Sequence, residues 1–202
     1  MRTPESIDAL ETQPWVLPSR RKVGLLCLLA TESALFTIFV VAYLFYIGKS
    51  LNGPYPHEVL EFPLLGTIAL FSSSGTIFLA ERCLRAGNKP GFSFWWGVTA
   101  ALGIYFLYFT GAEWYHLIFE KNLTLATNTF GTTFYSLVGL HAFHVIVGVL
   151  LLLAILISAL RGRLHSDHTE HVEAISYYWH FVDCIWIVVL TVVYILSVRV
   201  PQ

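Results

Sequence analysis

Residues 132–160 read TTFYSLVGLHAFHVIVGVLLLLAILISAL, a run with no acidic residue, lysine or arginine. As a helix rising about 1.5 Å per residue, such a run exceeds the roughly 20 residues needed to cross the hydrocarbon core of a bilayer. A surface helix of a soluble protein carries a polar face along its length, and this stretch has none. The run therefore predicts a transmembrane helix.

Four other stretches are also predominantly apolar and long enough to cross the hydrocarbon core. Strands are excluded, because the runs are continuous and do not alternate between apolar and polar residues. The sequence thus predicts an all-α integral membrane bundle of five transmembrane helices, preceded by an N-terminal segment, residues 1–22. The predicted helix-forming domain, residues 23–199, has spans at about 23–47, 62–84, 92–119, 132–160 and 174–198.

The overall composition agrees with a chain that has lipid as its solvent. Apolar residues make up 56% and charged residues 12%, about half the charged fraction of a soluble domain. A net charge of -1, with no extended basic patch, argues against nucleic-acid binding. The three cysteines show neither CxxC nor zinc-site spacing, so we expect them to be small apolar helix residues.

Basic residues in the loops predict the orientation. If the N-terminus is cytoplasmic, nine of the twelve lysines and arginines lie on the cytoplasmic side and three on the other. This bias follows the positive-inside rule and predicts a cytoplasmic N-terminus and a periplasmic C-terminus. The nine are Arg2, Arg20, Arg21, Lys22, Arg82, Arg85, Lys89, Arg161 and Arg163, and the three are Lys49, Lys121 and Arg199.

Glu32 is an acidic residue deep in the first predicted span. It lies about ten residues, or about 15 Å, into that span, near the bilayer midplane. An unpaired carboxylate is strongly disfavoured there, so we expect a protonated carboxyl. Two interpretations remain open: a structural hydrogen bond to a neighbouring helix, or a functional acid linked to protons or lipid.

Two pairs of polar residues have helical i, i+3 spacing. His141 and His144 share one face of the fourth span, and His180 and Asp183 share one face of the fifth. A histidine pair could ligate a metal or haem, but no third ligand has suitable spacing, so hydrogen bonds between helices are favoured. We predict one polar cluster in the bundle interior, formed by these four residues and Glu32, with no metal site.

Two further sites lie near the ends of the spans. Glu113 and Trp114 occupy the outer end of the third span, where we interpret them as an interface anchor. Arg161 and Arg163 follow the fourth span. They either express the positive-inside bias alone or bind an anionic lipid headgroup.

Four sequence blocks resemble those of cytochrome c oxidase subunit III. TFYSLVGLHAFHVIVG, residues 133–148, is similar to the family block TFYxxTGxHxxHVxxG, and YWHFVDCIW, residues 178–186, is similar to YWHFVDxVW. TESALF, residues 31–36, resembles SExxF, and GAEW, residues 111–114, resembles QxxE[YW] with glycine at the usual glutamine position. The blocks keep the family's order and cover the chain from about residue 21 to its end.

The resemblance implies a noncatalytic, α-helical subunit of a bacterial aa3- or caa3-type oxidase in the inner membrane. Such a subunit packs directly on subunit I, within a complex that also holds subunit II and small subunits. Haem and copper belong to the partner subunits, which reduce oxygen and pump protons, while subunit III binds membrane phospholipid and sustains turnover. Glu32 matches the family's carbodiimide-reactive acid, and Arg161 matches a region that contacts a lipid phosphate.

The sequence departs from the family in two ways. Longer members have seven helices, and this sequence has no counterpart of the first two, so their lipid cleft would be incomplete. Val138 also replaces the usual threonine. Subunit III of a quinol oxidase and a nitric-oxide-reductase accessory protein remain alternatives. A proton-coupled transporter using Glu32, His180 and Asp183 is a further alternative, although no inverted repeat or broken helix is evident.

Overall fold

The computed structural model describes residues 20–163 and 169–199, and within these ranges it contains helices and no strands. Each of five long helices is long and apolar enough to cross a membrane, which confirms the predicted all-α transmembrane bundle. Most of the predicted N-terminal segment lies outside the described residues. The long helices are α1 (Arg20–Tyr46), α2 (Leu64–Arg85), α3 (Lys89–Phe119), α4 (Thr129–Leu160) and α5, which starts as Thr169–Val189, continues as a π-helix over Leu190–Leu196 and ends with Ser197–Arg199.

Helices α3 and α4 begin three residues before the predicted spans because asparagines cap them. The Asn88 side chain accepts a hydrogen bond from the Gly91 N–H at 3.0 Å, and Asn128 accepts one from Gly131 at 2.8 Å. Each bond satisfies an N–H group that the first helical turn leaves unpaired. The predicted bounds followed apolar residues alone, and therefore left out these first turns.

The five helices run alternately up and down, with α4 and α5 at the centre. Helix α2 packs on α3 and α5, α3 packs on α4, and α4 packs on α5, whereas α1 packs mainly on α4 and α5. Helix α1 buries only a narrow stripe that includes Phe36 and Tyr43. Most of its apolar surface therefore faces away from the bundle.

The two ends of the bundle differ in charge. The starts of α1, α3 and α5 meet the ends of α2 and α4 at what we call the basic end, which carries Arg20, Arg82, Arg85, Lys89, Arg161 and Arg163. We call the other end, formed by residues 47–63 and 120–128, the opposite end. These two segments carry Lys49 and Lys121, and α5 ends on the same side with Arg199. Which end faces the cytoplasm stays a prediction from the positive-inside rule.

One tryptophan fixes the distances among four helices. Trp179 of α5 is fully buried between two glycines, and its Nε1 donates a hydrogen bond to Ser73 Oγ of α2 at 2.8 Å. A Cβ atom on Gly103 of α3 would lie 2.6 Å from the indole, and one on Gly148 of α4 would lie 2.8 Å from it. The indole therefore fits only because neither position has a side chain.

Candidate functional site

Glu32 and His144 meet about halfway along helices α1 and α4, where the glutamate side chain is 24% exposed. Glu32 Oε2 of α1 lies 3.0 Å from His144 Nε2 of α4, and the histidine side chain is 7% exposed. The Phe36 ring packs 4.9 Å from the imidazole, and Tyr178 donates a hydrogen bond to the His144 carbonyl oxygen at 3.2 Å. These contacts join α1, α4 and α5 around one polar pair.

The hydrogen bonds limit where this pair can hold its protons. His144 Nδ1 lies 2.8 Å from the Leu140 carbonyl oxygen, which can only accept, so Nδ1 carries a hydrogen. The remaining proton lies between Glu32 Oε2 and His144 Nε2. If it belongs to Glu32, both groups are neutral; if it belongs to His144, the two form an ion pair. In both forms the net charge is zero, which avoids an uncompensated charge in a low-dielectric interior.

His180 and Asp183 form their hydrogen bonds with a different residue, Ser74 of α2. The Ser74 hydroxyl donates to Asp183 Oδ2, and its oxygen lies 3.0 Å from His180 Nδ1. A serine has one O–H to donate, so His180 Nδ1 carries the hydrogen of the second bond. The other oxygen of Asp183 is buried without a hydrogen-bond partner among the described residues.

His141 belongs to neither group of hydrogen bonds. Its imidazole is 1% exposed and stacks on Trp186 at 5.0 Å, with the Phe106 ring edge-on at 5.8 Å. Within the described part of the chain, neither ring nitrogen has a hydrogen-bond partner. His141 is therefore a packing residue within an aromatic cluster.

The predicted single cluster is thus divided. Hydrogen bonds pair Glu32 with His144, and pair His180 and Asp183 with Ser74, while His141 packs among aromatic rings. The sequence shows which residues share a helix face but not which neighbouring helix that face meets. Ser74 is the last of three consecutive serines, residues 72–74, and nothing in that run marks one of them as the partner of His180 and Asp183.

This division bears on two of the alternatives. The transporter alternative uses Glu32, His180 and Asp183 together, whereas the hydrogen bonds hold them in separate groups on different helix pairs. The second alternative is a metal or haem site at the histidine pair. Among the described residues, no three or more histidine, cysteine, aspartate or glutamate side chains are grouped so that they could bind a metal ion. Both nitrogens of His144 are also engaged in hydrogen bonds.

Glu113 and Trp114 face the neighbouring helices. Glu113 Oε1 accepts a hydrogen bond from the Tyr194 hydroxyl of α5 at 3.0 Å. The Trp114 ring packs edge-on against Tyr135 of α4 at 5.3 Å. The two residues thus tie α3 to α5 and α4, and a role in anchoring the bundle at the membrane interface stays a prediction.

Arg161 and Arg163 are exposed at the basic end, immediately after α4. A groove of about 590 Å³ lies beside them, between the start of α3 and the end of α4. Lys89 lines this groove, with apolar side chains that include Phe94 and Leu160. Basic groups therefore lie next to a groove whose walls are largely apolar.

Comparisons with known proteins identify relatives over nearly the whole chain. A family model described as cytochrome c oxidase subunit III matches residues 21–198. Cytochrome c oxidase subunit 3 of Synechocystis sp. is 39% identical over 186 residues, which cover 89% of this chain and 77% of that protein. The subunit 3 proteins of Thermostichus vulcanus and Alkalihalophilus pseudofirmus are 34% and 30% identical, and the matches cover 89% and 86% of those proteins.

Proposed function

Since this chain belongs to the cytochrome c oxidase subunit III family, we propose that it is the noncatalytic core subunit III of a bacterial aa3- or caa3-type oxidase. The observation that carries the proposal is the Glu32–His144 pair. Two of the family-like blocks, on α1 and α4, meet through it at 3.0 Å. The matched residues thus form a contact between helices that requires neither a haem nor a metal.

The proposal places the catalytic chemistry in other chains. Subunit I, packed directly on this chain, and subunit II would hold the haems and copper, within a complex in the bacterial inner membrane. The exposed apolar face of α1, which includes Leu35, Ile38 and Val41, is available for such a neighbour. Within this complex, subunit III would stabilise the assembly during oxygen reduction and proton pumping.

Purification in mild detergent tests this assignment. We expect a tagged version of the chain to recover a haem-copper polypeptide in a fixed ratio, together with the optical spectrum of haem. The isolated chain should be colourless. A stoichiometric haem or copper bound to the isolated chain, or recovery without any haem-copper partner, would contradict the proposal.

We also propose that Arg161 and Arg163 bind the headgroup of an anionic phospholipid at the basic end. Replacing Arg161 with glutamine should lower the retention of anionic phospholipid about fivefold, because one basic side chain near a membrane surface contributes about 1 kcal/mol of attraction. Lipid mass analysis of the purified complex measures this change. Arg82→Gln, which removes an exposed charge from α2 at the same end, is the matched control. Equal retention in both variants would show that Arg161 has no specific role.

A further inference from the structure

Helix α3 carries a row of exposed side chains with heptad spacing. The members of the row follow one another at alternating intervals of four and three residues: Ala101, Tyr105, Tyr108, Ala112, Tyr115 and Phe119. All six are exposed, because α3 packs on α2 and α4 through its other faces. Such spacing is typical of the seam of a left-handed helix pair, in which each side chain inserts between residues of a second helix. We call this row the tyrosine seam.

Two tyrosines of the seam lie deep in the membrane-spanning part of α3. Along the helix, Tyr105 is about 24 Å from Lys89 and about 22 Å from Glu120, at about 1.5 Å per residue. Tyr108 lies three residues closer to Glu120. Helical side chains lean toward the N-terminus of their helix, so a tyrosine at this position leans away from the nearer membrane surface. Since the hydrocarbon core extends about 15 Å to each side of its middle, neither hydroxyl reaches water.

Neither of these hydroxyls has a hydrogen-bond partner among the described residues, and Tyr108 is 73% exposed. An acyl chain offers no acceptor at this depth, so contact with lipid alone would leave both groups unsatisfied, at a cost in free energy. The seam also contains no leucine or isoleucine, whereas the exposed residues of α1 include Leu26, Leu35 and Ile38. The seam therefore suits a second helix that offers polar groups at the same depth.

We propose that the tyrosine seam binds the tyrosine seam of a second copy of this chain. Two copies inserted in the same orientation bring identical residues to the same depth, so that each tyrosine faces its own counterpart across a two-fold axis. A tyrosine hydroxyl can both donate and accept, so each facing pair forms a hydrogen bond. Ala101 and Ala112 flank the two deep tyrosines and allow the helices to approach closely. No charged residue belongs to the seam, so the pairing brings no like charges together there.

The seam is separate from the exposed face of α1. Helix α1 packs on α4 and α5, whereas α3 packs on α2 and α4. One chain can therefore contact subunit I through α1 and a second copy through α3 at the same time, which would join two oxidase complexes. This consequence for the oxidase rests on the proposed function, whereas the pairing of the two chains does not.

Energy transfer between donor-labelled and acceptor-labelled copies of the purified full-length chain measures the pairing. The copies are reconstituted in liposomes at several protein-to-lipid ratios, and we expect dimers whose fraction rises with this ratio. Tyr105→Phe combined with Tyr108→Phe should weaken dimerisation about tenfold, because two hydrogen bonds between helices are lost. The double variant should fold normally, since neither hydroxyl bonds within the chain. Tyr177→Phe, at an exposed position of α5, is the matched control and should leave dimerisation unchanged.

Photo-cross-linking in the purified oxidase complex identifies what covers the seam. Tyr115 is replaced by p-benzoylphenylalanine, which keeps an aromatic side chain in the seam, and we expect an adduct with twice the mass of the chain. The same replacement at Tyr177 should not give this adduct. An adduct with lipid alone, or with a different subunit, would overturn the proposal. So would a chain that stays monomeric at every protein-to-lipid ratio, or dimerisation that the double tyrosine variant leaves unchanged.

Discussion

Gly148→Leu should lower the free energy of unfolding by about 3 kcal/mol or more, the upper part of the range for overpacked cores. A Cβ atom at this position would already lie 2.8 Å from the Trp179 ring. The ring has no room to move towards α3, because the backbone of Gly103 lies so close that a Cβ atom added there would be only 2.6 Å from the ring. A leucine must therefore push the indole out, which also breaks its hydrogen bond to Ser73.

Unfolding of the purified chain in mixed detergent micelles measures this loss. Gly111→Leu is the matched control, because it makes the same substitution in α3 at a position with nothing within 4 Å of the added Cβ. We expect the control to change stability by no more than about 0.5 kcal/mol, as is usual for exposed positions. If the two glycine variants are equally stable, Trp179 does not fix the spacing of the helices. Trp179→Leu combined with Gly148→Leu should recover part of the loss.

Glu32→Ala should destabilise the bundle by about 1–3 kcal/mol, because it leaves the buried Nε2 of His144 without a partner. We expect the oxidase complex to reduce oxygen at its initial rate, since our proposal assigns the haems and copper to other subunits. Phospholipid retention, or activity over many turnovers, should decline instead. Thr37→Ala is the control: Thr37 is exposed on α1 and bonds only its own helix backbone.

Glu32→Gln separates the two proton arrangements of the pair. If the proton lies on Glu32, Nε2 is an acceptor and the glutamine amide can donate to it, so stability should remain close to that of the original chain. If His144 is a cation, the glutamine removes its counter-ion, so the imidazole must give up its proton and the stabilisation from the ion pair is lost. Because the neutral form suits a membrane interior better, we expect the first result.

Unchanged stability and unchanged activity over many turnovers in Glu32→Ala would show that the pair has no role.

Individual residues show which features of the site the sequence could predict. The depth of Glu32 and the absence of charge around it predicted a protonated carboxyl, either hydrogen-bonded to a neighbouring helix or functional, and the structure places His144 of α4 at 3.0 Å from it. The partner of His180 and Asp183 could not be predicted in the same way. Ser74 lies more than 100 residues away in sequence, and a serine in a span is as compatible with close packing as with hydrogen bonding.

The sequence by itself determined the five spans, because a helix must satisfy its own backbone in hydrocarbon and needs a fixed number of apolar residues to cross it. It also determined which polar groups lie at mid-membrane depth, since depth follows from position along a span. Only the tertiary structure decided which helices those groups face. That choice depends on how side chains from different helices fit together, such as an indole between Gly103 and Gly148, and periodicity within one helix contains no information about the shape of another.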